Sequence, residues 1–70
     1  PVIQVNLLEG RNEQQKQEFI EEVTDLAEDV LDARRKGVRV LFYEVAPTDW
    51  GIAGQSVKQK NLTEHSEADS

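Results

Sequence analysis

The sequence predicts an α+β chain: a single βαβ unit with parallel strands, followed by a short C-terminal hairpin. Three observations point there. A β-branched aliphatic run opens the chain, an amphipathic stripe at helical spacing follows, and a second β-branched and aromatic run comes after a glycine. The βαβ domain with its terminal arm is assigned to residues 1–57. Residues 58–70 are polar and are expected to be a mobile tail.

Each element has a local reason. Val2-Ile3-Gln4-Val5-Asn6-Leu7-Leu8 reads as a strand that stops at Glu9-Gly10. Asn12 stands where a helix N-cap belongs, with Gln15 at capping-box distance. Phe19, Ile20, Val23, Leu26, Ala27, Val30 and Leu31 then form one helical stripe, and Glu18, Glu21, Glu22, Asp25, Glu28 and Asp29 occupy the remaining surface. Gly37 ends the connection, and Val38-Arg39-Val40-Leu41-Phe42-Tyr43-Glu44-Val45 reads as the second strand. A helical crossover between adjacent strands makes them parallel and right-handed. Beyond Pro47, the glycines and Trp50 of Thr48–Ser56 suggest a turn and a short arm reaching toward a neighbour.

Size makes that neighbour necessary. With 70 residues, 37% of them hydrophobic, apolar burial and ordering entropy roughly cancel. Cysteine is absent and there is one histidine, which excludes disulfides, thiolate metal sites and His-rich centres. Oligomerisation is the remaining staple. Two strands and one helix also leave a sheet face and an edge uncovered. No apolar run is long enough to span a membrane, and no basic-then-apolar leader opens the chain, which fits a cytoplasmic protein. A net charge of −6 disfavours nucleic acid and anionic membranes as partners.

The charges are segregated. Residues 12–32 hold eight acidic residues against the single Lys16, whereas Arg34, Arg35, Lys36 and Arg39 place half of the eight cations within residues 33–39. Such a cluster either presents itself to an anion or complements the C-terminal dipole of the acidic helix. The lone His65 lies in the polar tail and reads as a solvated residue.

Pro1 also supports two readings. Proline is tolerated as the first residue of a strand. A chain that begins with proline is also expected to have lost its initiator methionine, leaving a secondary amine held by its ring. That amine is a base and nucleophile where cations or an apolar wall favour its neutral form.

The opening Pro-Val-Ile-Gln-Val-Asn-Leu-Leu-Glu-Gly-Arg, the following Asn-Glu-Gln-Gln-Lys, Val38-Arg39-Val40 and Asp49-Trp50-Gly51-Ile52-Ala53-Gly54 together resemble the 4-oxalocrotonate tautomerase family. The resemblance runs without gaps from residue 1 to about residue 57. It implies the tautomerase-type β-α-β fold, a four-stranded sheet per dimer, and a homo-hexamer built as a trimer of dimers with shared active sites. It implies keto–enol (1,3-proton) transfer on a dicarboxylate such as 2-hydroxymuconate, with no metal and no organic cofactor. By resemblance Pro1 is the catalytic base, and Arg11 binds the distal carboxylate. Arg39, from a neighbouring subunit, binds the first carboxylate and the 2-oxygen. Trp50 takes the place of an aromatic that walls the site. Taken without the resemblance, Arg11 is a surface cation and Trp50 an interface anchor. Leu8 and Ile52 stand where the halo-acrylate dehalogenase branch carries an extra arginine and a water-activating carboxylate, respectively. As apolar substrate-binding positions they disfavour water addition. The basic link lacks the proline often found there, so Arg34 or Arg35 is a candidate to supplement or compete with the usual clamps. The rival functions are dehalogenation, hydration or decarboxylation of a small unsaturated acid, and a non-catalytic or hetero-hexamer subunit.

Overall fold

A computed structural model of the chain describes residues 1–64. Strand β1 spans Val2–Leu8, helix α1 Glu13–Leu31, strand β2 Arg39–Val45, strands β3 and β4 Gly51–Ile52 and Gln55–Ser56, and helix α2 Val57–Glu64. β1 and β2 form one parallel two-stranded sheet, and β3 and β4 form a separate antiparallel hairpin. The fold is thus the expected βαβ unit with a C-terminal hairpin. The reading of residues 58–70 as a tail assigned no element to the stretch that carries α2. Residues 65–70, His65 among them, lie outside the described residues.

The chain divides into two compact units, one of residues 1–6 and 10–43, the other of residues 7–9 and 44 onward. In the first, Asn12 caps α1 as its spacing predicts. Its side chain accepts from the Gln15 N–H at 2.8 Å, and its own N–H donates to Gln15 Oε1 at 3.0 Å. The helix ends where Asp32 turns left-handed (φ 58°), and the N–H groups of Asp32 and Ala33 both reach back to the Ala27 carbonyl, the latter at 3.2 Å.

Only part of the helical stripe is covered. Ala27 and Thr24 are buried, and Ile20 and Val23 are half-buried. The Thr24 hydroxyl donates to the Ile20 carbonyl at 2.6 Å, so this buried polar group is satisfied within the helix. Phe19 meets Phe42 of β2 in a tilted pair with centroids 5.7 Å apart, which identifies the sheet face turned toward α1. Ile3, Val5, Val40 and Phe42 alternate as its half-buried residues. Leu26, Val30 and Leu31 remain 57%, 67% and 63% exposed, because two strands are too narrow a platform for the whole stripe. On the opposite sheet face Val2, Leu41 and Tyr43 are exposed as well.

The second unit holds the end of the ladder, the hairpin and α2. The Glu9 N–H donates to the Val45 carbonyl at 3.0 Å, extending the parallel ladder to the end of β2. A 3₁₀ turn over Pro47–Asp49 then leads to Trp50, which is extended and half-buried. The β3–β4 hairpin is closed at its base by the Val57 N–H on the Trp50 carbonyl at 2.9 Å. Its turn has positive φ at both central residues, Ala53 (53°) and Gly54 (86°), as a two-residue hairpin loop requires. Ser56 Oγ accepts from the Gln59 N–H at 3.0 Å and caps α2.

Two stability predictions follow from these geometries. Asn12→Ala should destabilise the protein by about 1 kcal/mol. Ala53→Asn, which installs the preferred Asn-Gly turn, should stabilise it by up to about 1 kcal/mol. Urea unfolding at one fixed protein concentration checks both, since association with other copies would otherwise shift the midpoint.

Candidate active site

The parallel pairing brings Pro1 and Arg39 together. Pro1 directly precedes β1 and Arg39 opens β2, and the Arg39 N–H donates to the Pro1 carbonyl at 2.9 Å. Pro1 joins the ladder through its carbonyl, which leaves the ring nitrogen out of that bond. The Arg39 side chain is exposed, on the sheet face opposite Phe42, and its Nη1 donates to the Lys36 carbonyl at 2.8 Å. A strand's period of two puts Arg39, Leu41 and Tyr43 on that bare face. The arginine therefore sits among apolar side chains without being buried by its own chain.

Arg11 lies past the opposite end of β1, between Gly10 and the cap residue Asn12, and is exposed. Leu8, Trp50 and Ile52 belong to the second unit. Leu8 is half-buried at the end of β1, Trp50 is half-buried at the base of the hairpin, and Ile52 is exposed on β3. Of the six positions, the structure thus pairs Pro1 with Arg39. A shallow hollow along α1, lined by Glu22, Asp25, Leu26, Glu28 and Asp29, contains none of them, and its acidic rim suits no dicarboxylate. Among the described residues, no group of three or more His, Cys, Asp or Glu side chains is placed to hold a metal ion.

One cation of the basic link, Arg35, is held by side chains along the helix. Helix α1 has no basic residue in its last turn. Arg35 instead turns back along the helix, and its Nη1 lies 2.8 Å from both Asp25 Oδ1 and Glu28 Oε1. Hydrogen bonds to Asp25 first and Glu28 second hold the Arg35 guanidinium above the ordinary arginine value, so it stays charged. Arg35 is thereby engaged with two carboxylates of α1. A signal for this was present in the sequence: Asp25 and Glu28 stand three apart on one helix face, with a cation at the start of the returning link.

Comparison with known proteins identifies the family. Residues 1–60 match the family described as "Tautomerase enzyme". The 2-hydroxymuconate tautomerase of Comamonas testosteroni is 42% identical over 59 residues, covering 84% of this chain and 94% of that protein. A 4-oxalocrotonate tautomerase isozyme from Methylibium petroleiphilum superposes with a TM-score of 0.87 at 34% identity, covering 91% of this chain and all of that one (100%). A heterohexamer 4-oxalocrotonate tautomerase from Chloroflexus aurantiacus superposes with a TM-score of 0.78 at 31% identity, covering 83% of this chain and 94% of that one. No helix among the described residues is long and apolar enough to cross a membrane. By this sequence match across the βαβ unit and hairpin, the chain belongs to the tautomerase family.

Proposed function

We propose that this protein is an isomerase acting on a 2-hydroxy-dienoate diacid, converting 2-hydroxymuconate to 2-oxo-3-hexenedioate. The observation that carries the proposal is the tautomerase-family match over residues 1–60, a stretch that contains Pro1, Arg11, Arg39 and Trp50. The Pro1 amine takes the proton of the 2-hydroxyl, the electron pair shifts through the diene, and the amine returns a proton to C5. The product keeps one carbon–carbon double bond and gains the 2-oxo group, so atoms and charge balance. Arg39 binds the first carboxylate and the 2-oxygen, where negative charge develops. Arg11 holds the distal carboxylate through its guanidinium fork. Trp50, Leu8 and Ile52 supply the apolar wall that excludes water from the diene.

This site is a shared one. The seven residues of β1, roughly 23 Å of strand, separate Pro1 from the segment that carries Arg11. One small diacid meets both only where two copies of the chain meet. Val2, Leu41 and Tyr43 on the bare sheet face, and Leu26, Val30 and Leu31 on α1, are the apolar surfaces available to such copies. The assembly we propose is a homo-hexamer, a trimer of dimers, with subunits exchanging Arg39 and the terminal arm.

Pro1→Ala should lower kcat with 2-hydroxymuconate by about 100-fold or more, after intact mass has shown the wild-type amine to be free. Arg11→Ala should act mainly through KM, raising it roughly 10-fold to 100-fold, because the distal carboxylate is held equally in ground and transition states. Arg39→Ala should act mainly through kcat. Unchanged turnover in the Pro1 variant, or turnover of 3-halo-acrylates in preference to the dienol, would end this reading.

Sharing has its own test. Pro1→Ala and Arg11→Ala subunits, unfolded and refolded together in equal amounts, should recover activity at about a quarter of the sites. Sites contained within one chain would recover none.

A further inference from the structure

We infer that Arg35 is a positioning residue for Arg39: by tying the 35–37 turn to helix α1, it sets the Lys36 carbonyl that holds the Arg39 guanidinium. The inference rests on reading Arg39 as the clamp of the reacting carboxylate, and it adds to that reading a residue that touches no substrate.

The connection is continuous in hydrogen bonds. Asp25 and Glu28, on one face of α1, both accept from Arg35 Nη1 at 2.8 Å. Arg35 begins a 3₁₀ turn closed by the Gly37 N–H on the Arg34 carbonyl at 2.8 Å and the Val38 N–H on the Arg35 carbonyl at 3.2 Å. Within that turn the Lys36 carbonyl accepts from Arg39 Nη1 at 2.8 Å. The Arg39 main-chain N–H in turn donates to the Pro1 carbonyl at 2.9 Å. A path of polar contacts therefore runs from the middle of α1 to the residue read as the base.

The bonds to Asp25 and Glu28 contribute little as surface ion pairs. The Arg35 side chain is 50% exposed, and its partners are 67% and 40% exposed. Their consequence is geometric. An exposed arginine has many rotamers, and a clamp works only when its fork already faces the ligand. Lys36 uses one of the five guanidinium N–H donors, leaving four to meet a carboxylate and an oxygen. The turn is closed by its own main-chain bonds, and the Arg35 side chain adds the anchor that fixes it to α1.

The experiment uses the assembled full-length protein, with Arg35→Gln, Arg35→Lys and the double variant Asp25→Asn/Glu28→Gln. Nitrogen-15 NMR of the arginine Nη groups reads the clamp directly, with Arg39→Lys assigning the signal by its loss. Arg39 should rotate slowly about its Nε–Cζ bond in the wild type and faster in Arg35→Gln and in the double variant. Arg35→Lys should restore part of the restraint. With 2-hydroxymuconate, the two loosening variants should lose about 10-fold in kcat with KM changed less than about 3-fold.

An Arg39 signal equally mobile in wild type and Arg35→Gln overturns the inference. So does a double variant with higher kcat/KM, the result expected if Arg35 and the nearby carboxylates acted only through their long-range field. Should Arg35→Gln fail to assemble, the double variant carries the same comparison. A wild type that shows slow Arg39 rotation but no isomerase turnover would sink the proposed reaction and leave the tie to α1 standing.

Discussion

The parallel pairing of β1 with β2 is the constraint on which the rest of the molecule depends, and its head is the bond from the Arg39 N–H to the Pro1 carbonyl. One such bond is worth only about 1 kcal/mol net. Its importance lies in register. Sliding β2 by one residue would turn Val40 and Phe42 to the bare face and carry Arg39 toward α1. Phe42 would lose its ring contact with Phe19, and a cation would be pressed against the apolar stripe. Apolar packing on one face thus enforces the register that leaves Arg39 exposed on the other.

The electrostatic pattern follows from the same frame. Half of the 14 acidic residues are carried by α1, and half of the eight cations lie within residues 34–39, on the way back to the sheet. The structure divides those cations by task. Arg35 is taken up by Asp25 and Glu28, whereas Arg39 stands next to Pro1 on the strand heads. A chain with net charge −6 can in this way keep a local positive field at one end of its sheet.

Small size enters the chemistry through the same sheet. A two-stranded platform covers Ala27, Thr24, Ile20 and Val23 but leaves Leu26, Val30 and Leu31 outside, and it leaves Val2, Leu41 and Tyr43 bare on the far face. Association of copies would cover the apolar area that one chain leaves bare.

Much of the fold was legible in the residues because it is local. The Asn12–Gln15 capping box, the stripe from Phe19 to Leu31 and the alternation in β1 and β2 are properties of residues a few positions apart, set by backbone geometry. Helix α2 was missed because Val57–Glu64 has too few apolar residues to show a period, and its cap comes from Ser56 at the end of the hairpin. The candidate residues themselves were legible through family resemblance, not through spacing. That Pro1 and Arg39 adjoin, and that Arg35 faces Asp25 and Glu28 in place of the helix terminus, was decided only by the tertiary structure. Both depend on which surfaces meet after α1 has folded back across the sheet, and several acidic residues along that helix compete for one guanidinium until the returning link fixes its reach.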